Sequence, residues 1–423
     1  MAKSIQVIRG MHDILPSQIH LWHVIEDNFR QIVTTRGYQQ IRTPVVEKSD
    51  LFHRSIGEVT DIVEKEMYTF EDRNGDWLSL RPEGTASVVR AGIENGLLVN
   101  QQQRLWYNGP MFRHERPQKG RYRQFYQLGA ETFGMPGADV EVELILIAAN
   151  LWKALGLKNI ELQVNSLGTS ESRHAYRGIL VDYFNQNIDQ LDEESKRRLK
   201  TNPLRILDTK NPNMQELVEQ APKLSEHLDE ASQTHFNNFK VRLDALGINY
   251  VVNTRLVRGL DYYCHTVFEW VTTELGAQGT VCAGGRYDGL VEQMGGKPTT
   301  AAGFAMGIER LVSLLEETET VIAQVADIYC LALNDEASIK AFELSEKIRS
   351  KYPNLNIIQH CGGGSFKSQI KKADKSGATW ALIMAEDELQ NDSISIKFLR
   401  ENKDQKTVKQ NDLMHEIKSW FEN

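Results

Sequence analysis

Cysteine is scarce and scattered. Cys264, Cys282, Cys330 and Cys361 are too few for a disulfide framework and too widely spaced for a zinc knuckle, so a reducing compartment fits and no zinc is expected. Positive charge is also in short supply. The net charge of −8 excludes a histone-like, purely electrostatic nucleic-acid binder and requires any nucleic-acid partner to be met by local basic patches. No run approaches the ~18 apolar residues that a membrane span needs, and the opening MAKSIQVIRGMHDILP lacks the apolar core of an export signal. The expectation is a cytoplasmic protein without membrane contact. Internal repeats and low-complexity tracts are lacking as well. A chain of 423 residues exceeds what one hydrophobic core organises, so two or three domains are expected.

Apolar residues at Ile19, Trp22, Ile25, Phe29, Ile32 and Val33 form a helical stripe that stops at Gly37. A strand from Gln40 to Val46 follows. Pro44 interrupts it and cannot donate to a ladder, which places the strand at a sheet edge or an interface and makes this region a reasonable dimerisation element. Further strands are read at Met67 to Phe70, Trp77 to Leu80 and Leu105 to Tyr107, then a helix from about Ala138 to Leu155. Between about 170 and 247 the chain is polar and helical, broken at Asn202-Pro203, Asn211-Pro212 and Ala221-Pro222, and it reads as a helical insertion. Strands resume at Tyr250 to Asn253, Thr266 to Val271 and Gly279 to Ala283. From Asp327 strand and helix alternate, which indicates a separate α/β domain. The division is 1–325 and 326–423.

The segment from Phe112 to Phe133, FRHERPQKGRYRQFYQLGAETF, reads as an antiparallel hairpin with a basic tip at Arg116, Lys119, Arg121 and Arg123. Strand alternation puts Arg113 and Glu115 on one face, and Phe125, Gln127, Gly129 and Glu131 on one face of the return strand. A half-buried hairpin would ordinarily show Val, Ile or Leu there, and burying unpaired charge is costly. The plain alternative is an exposed hairpin with a solvated tip. Downstream, RGLDYYCHTVFEW (from Arg258) offers a cation and phenols, with Tyr263 and His265 on one face and Tyr262 on the other. AGGRYDGL (Ala283 to Leu290) has paired glycines that let backbone approach a ligand, or that merely make a turn. GFAMGIERL (Gly303 to Leu311) reads as a small-residue strand entering a helix that carries Arg310. Arg81-Pro82-Glu83-Gly84-Thr85 sets a carboxylate and a hydroxyl beside a constrained turn. Two stretches are set aside: GGGSFKS from Gly362 fails the phosphate-loop pattern at Phe366, and GEVTDIVEKE from Gly57 lacks calcium-loop spacing.

In this order the segments closely resemble a bacterial-type class II histidyl-tRNA synthetase, essentially from end to end. The helix, edge strand and Pro44 are similar to the family's first class motif, the hairpin to its second and GFAMGIERL to its third; RGLDYY and AGGRYDGL resemble its histidine signatures. The resemblance implies an α+β fold with a six- or seven-stranded antiparallel catalytic sheet, a helical insertion, a C-terminal α/β anticodon-binding domain and a homodimer. It implies activation of L-histidine by ATP with Mg²⁺, then transfer to the 3′-terminal adenosine of tRNA(His), with no zinc or organic prosthetic group and no metal held by protein side chains. By the same resemblance Arg258 and Arg113 are catalytic. Glu83, Thr85, Arg113, Gln127, Glu131, Arg258, Tyr262, Tyr263 and Tyr287 bind histidine. ATP falls to Arg113, Glu115, Arg121, Phe125 and Arg310, and the tRNA acceptor end to Arg116, Gln118 and Arg123. Cys264 and His265 receive no role, His265 being read as an ordinary strand residue. The competing expectations are the synthetase-like, non-catalytic regulatory subunit of ATP phosphoribosyltransferase and a plain nucleic-acid-binding module. The first usually lacks the extra C-terminal domain, and the second fits poorly with −8.

Overall fold

The long strands order everything else. The computed structural model describes residues 4–57, 60–209, 211–257, 260, 262–276, 279–316 and 326–420. These fall into two compact units, Met1–Thr320 and Val321–Asn423.

In the first unit the strands are β1 (Gln39–Gln40), β2 (Val46–Lys48), β3 (Tyr68–Glu71), β4 (Trp77–Leu80), β5 (Gln103–Phe112), β6 (Gln124–Phe133), β7 (Glu161–Ser166), β8 (Val251–Val252), β9 (Cys264–Val271), β10 (Thr280–Arg286) and β11 (Ala301–Gly307). One sheet has the order β1-β5-β6-β11-β10-β9-β7-β8. Its six central strands pair antiparallel, and the two-residue strands β1 and β8 add parallel edges. The expected single strand from Gln40 to Val46 is instead two strands in two sheets, because β2 joins β4 and β3 in a separate three-stranded sheet. Pro44 falls at the crossing, where no ladder donor is needed. Arg81 holds that crossing through the carbonyl and hydroxyl oxygens of Thr43 at 3.0 and 2.9 Å and the carbonyl of Pro110 at 2.9 Å.

The back of the large sheet is the main core. The helix Ile19–Thr34 buries Leu21, Trp22, Ile25, Phe29 and Val33, and Gly37 past its end has φ +78°, the left-handed conformation that glycine supplies. Together with the helix Asp139–Ala154 it covers Trp106, Leu128, Ala130, Phe268, Phe304 and Met306. The buried Leu128, Phe268, Phe304 and Met306 each contribute about 1.5–3 kcal/mol. The front face carries a second apolar cluster, including Leu105, Met111, Phe133 and Val267, with small and polar residues between them. Between β7 and β8 the described residues are helical wherever they are regular, from Ser170–Gln186 to Glu230–Ala245.

The second unit has β12 (Ile328–Ala332), β13 (Ile357–Gln359), β14 (Trp380–Met384), β15 (Ser393–Phe398) and β16 (Lys406–Lys409), in the order β13-β12-β14-β15-β16. The first three pair parallel and the last two antiparallel. β15 and β16 escape a hydropathy reading because Ser393 and Ser395 occupy buried positions in one and the other is largely exposed.

Candidate active site

The front face of the large sheet is hollowed by small residues. One row runs Tyr107, Gly129, Ala305, Ala283, Glu269 across β5, β6, β11, β10 and β9, and its neighbour places Glu131 opposite Gly303. Ala305, Ala283 and Gly307 floor a cavity of about 320 Å³ whose walls include Glu83, Thr85, Arg113, Glu115, Arg121, Phe125, Gln127, Tyr262, Tyr263, Glu269, Glu309 and Arg310. Gly303 has a definite reason to be glycine: a Cβ there would lie 1.6 Å from Glu131 Oε2.

One end of the cavity is lined by hydroxyls and carboxylates. Glu131 is fully buried behind the wall, accepting from the Thr85 hydroxyl at 2.7 Å and the Tyr287 hydroxyl at 2.5 Å. Burial pushes its carboxyl up to about 8, against the pull of those two donors. Glu83 accepts from the backbone N–H groups of Thr85 at 2.6 Å and Ala86 at 2.8 Å, capping the helix Thr85–Glu94, and burial raises its carboxyl too. Gln127 Oε1 is buried without a hydrogen-bond partner among the described residues. The expected alternation of Tyr262 and Tyr263 does not occur, because β9 begins only at Cys264. Their rings lie 4.7 Å apart, and both neighbour the Tyr287 ring, at 5.5 and 6.4 Å.

The other end is cationic. The first hairpin strand ends at Phe112, so Arg113 and Glu115 are placed by the tip loop and not by strand alternation as expected. Arg113 Nε donates to the Pro82 carbonyl at 2.9 Å, and its guanidinium stands 5.3 Å from the Phe125 ring centroid, within cation–π range. Arg121 pairs with Glu115 and reaches Glu66 at 3.7 Å. Arg310, in the first turn of the helix Ile308–Glu316, donates to the carbonyls of Thr280 and, at 3.3 Å, Gly120. Burial first, then Arg121 and Arg113, lowers its affinity for the proton. Three guanidiniums that oppose one another's charge make a place for an anion. Arg258 lies outside the described residues. At the tip, Arg116 and Gln118 are exposed, whereas Arg123 turns inward to the Glu115 carbonyl at 3.2 Å.

A family model for histidyl-tRNA synthetase matches residues 10–311, and one for an anticodon-binding domain matches 327–420. The chain is 60% identical over 409 residues to the histidine–tRNA ligase of Hydrogenovibrio crunogenus, covering 96% of each. It superposes on the crystal structure of apo S. aureus histidyl-tRNA synthetase with a TM-score of 0.82 at 35% identity, over 98% of this chain and 100% of that one. The chain belongs to the histidyl-tRNA synthetase family. A Bacillus halodurans protein described as an ATP phosphoribosyltransferase regulatory subunit/histidyl-tRNA synthetase, at 22% identity and a TM-score of 0.66 over 91% of this chain and 99% of that one, shares the fold alone.

In and behind the cavity lie groups that the sequence motifs did not point to. Glu269 and Glu309 line the cavity, and Thr280 donates to Glu269 at 3.0 Å. Behind the histidine signature, Arg286 and Glu141 form a fully buried bidentate pair at 2.9 and 2.7 Å, with His235 on the same carboxylate at 2.6 Å. Arg286 stands inside the AGGRYDGL signature but was not read as a buried cation, and its partner lies 145 residues earlier on an ordinary helix. His265 is not an ordinary strand residue: it has φ +47° at the start of β9, beside a register irregularity, and its Nδ1 lies 3.3 Å from the Ser232 hydroxyl.

Proposed function

We propose that the hollowed front face is where this chain performs the histidyl-tRNA synthetase reaction, with histidine at the hydroxyl-lined end and ATP at the cationic end. The observation that carries this is the meeting of both ends in one cavity. In the first step a histidine carboxylate oxygen attacks the α-phosphorus, the bond to the β-phosphate oxygen breaks, and histidyl-adenylate and pyrophosphate result. The carboxylate is already ionised at neutral pH, so the step needs positioning and charge neutralisation and no base. Arg113 would hold the α-phosphate, Arg258 would bridge it to the histidine carboxylate, and Arg310 would bind the polyphosphate tail, each using a permanently charged donor fork. Phe125 would stack on adenine, with Glu115 near its amino group and Arg121 steadying Glu115. In the second step a hydroxyl of the terminal ribose attacks the acyl carbon and AMP leaves.

Glu131 and Tyr263 would read the imidazole nitrogens, with Tyr262 and Tyr287 around the ring. Glu83, Thr85 and Gln127 would take the α-amino group; the unpaired Gln127 oxygen supports this. A competitor without ring nitrogens would strand these groups, and sites so built discriminate by roughly 10⁴ or more. Magnesium would come with the polyphosphate and neutralise its charge, and the Glu269 carboxylate on the wall suits its hydration shell. Arg116, Gln118 and Arg123 would meet the acceptor end of tRNA(His), residues 1–325 forming the catalytic domain and 326–423 the anticodon-binding domain. Exposed Val46, Phe70 and Trp77 on the three-stranded sheet support a homodimer near Pro44. Among the described residues no helix is long and apolar enough to cross a membrane, and a cytoplasmic location is proposed.

Histidine-dependent exchange of pyrophosphate into ATP, followed by charging of tRNA(His), tests the reading. Failure of both with folded protein would return the chain to the non-catalytic alternative.

A further inference from the structure

Tyr107 lies one row from Glu131 and has been given no task. It is 5% exposed, and its ring fits only because its neighbours lack side chains: a Cβ on Gly129 would stand 2.2 Å from its ring, and one on Gly84 2.4 Å. If packing were all that the position required, phenylalanine would serve. The hydroxyl completes no hydrogen bond of good distance and angle with a described residue, yet it lies close enough to Thr85 and Glu131 to interact with both, in the field of Glu131 and Glu83. A buried hydroxyl left in that state is costly to keep.

The acceptor capacity of Glu131 indicates what the hydroxyl is for. In its ionised form a carboxyl group offers about four acceptor positions. Thr85 and Tyr287 take one each, on opposite oxygens. An imidazole N–H takes a third. We propose that Tyr107 is a positioning residue for histidine recognition, its hydroxyl donating to the fourth acceptor position of Glu131 when the imidazole engages that carboxylate. The inference rests on the reading of Glu131 as the ring contact. Its chemical content is that Glu131 meets the ring within a cage of three hydroxyl donors from three separate elements, β5, the start of the helix Thr85–Glu94 and the signature following β10. Such a cage fixes the plane of the carboxylate and so the direction from which a ring nitrogen must arrive.

Tyr107→Phe removes only the oxygen. In pyrophosphate exchange with the full-length enzyme, the histidine KM should rise about tenfold, as for a hydrogen bond to a charged group, with the ATP KM unchanged and the melting temperature not lowered. In a Glu131→Gln background the same substitution should add nothing beyond the loss that Glu131→Gln itself produces. An unchanged histidine KM in Tyr107→Phe overturns the proposal. So does a joint rise of both KM values with a lowered melting temperature, which marks a packing role, or a loss that multiplies in the double variant. If Glu131→Gln alone leaves the histidine KM unchanged, it is the role of Glu131 that fails, and the inference with it.

Discussion

Both carboxylate oxygens of Glu309 accept from the backbone N–H of Tyr126, at 2.9 and 3.1 Å, across 183 residues of sequence. Tyr126 stands between Phe125 and Gln127, and Glu309 precedes Arg310, so one contact sets the hairpin's return strand against the helix that carries the third cation. Glu309→Ala should lower kcat/KM for pyrophosphate exchange by about 10- to 100-fold, with both substrates affected because both ends of the cavity lose their register. Glu309→Gln keeps an oxygen acceptor and should retain activity within about threefold. Steady-state exchange kinetics of the two variants decide it; equal losses would show that charge, and not the latch, is what matters.

Stability should fall as pH rises between about 4.5 and 8. Burial raises the carboxyls of Glu131 and Glu309 from the usual 4.5 to about 8, so over that window the folded chain holds protons that the unfolded chain has released. The contribution is fully present below the unfolded value and is lost as pH passes the folded one, with a slope of at most ~1.4 kcal/mol per pH unit for each group. Denaturant midpoints across pH 5 to 9 should show a shallower decline in Glu131→Gln than in the parent.

The Arg286–Glu141 pair behaves in the opposite sense. Arg286 and His235 hold the Glu141 carboxyl down at about 2 despite burial, so its contribution is present above 4.5 and lost as pH falls through 2. Glu141→Gln should cost about 3–5 kcal/mol by stranding a buried guanidinium, whereas Glu141→Leu with Arg286→Met should cost less than the two single changes combined. A double-mutant cycle in urea reads the difference.

At the hairpin tip the expected effect is confined to tRNA. Arg116→Ala should slow charging of tRNA(His) while leaving pyrophosphate exchange intact, and should reduce the dependence of log K for tRNA on log salt by about one phosphate contact. An equal loss in exchange and charging would place Arg116 in the adenylation site.

What the sequence made legible was whatever strand alternation or a local motif could carry. Gln127 and Glu131 share a face of β6 because their spacing is even, and Arg310 falls in a first helical turn because small residues give way to IERL. Glu115 and Arg113 reach the cavity by another route: the strand stops at Phe112, and a loop held by Pro82 and Arg121 does the placing. Loop paths depend on partners far away in sequence, and periodicity is silent about those. Tyr107, Glu141 and Glu269 were illegible for a related reason. Each sits in an ordinary amphipathic pattern and acquires its meaning from cross-strand register or from a helix packed above it. The two tyrosines precede β9, so the alternation assumed for them had no strand to carry it.

The strand Ala301–Gly307 has two opposite mutational temperaments. Ala305 and Gly307 face the hollow, where added carbons take volume from substrate, so these positions should reject growth while surrendering little to folding; Gly303, whose Cβ would strike the buried Glu131, should lose both. Phe304 and Met306 point into the core, where shrinkage leaves a cavity at about 2–5 kcal/mol while catalysis is touched only through stability. A saturation scan from Phe304 to Gly307 should therefore alternate, position by position, between variants that charge tRNA only while they remain folded and variants that fold but do not charge it.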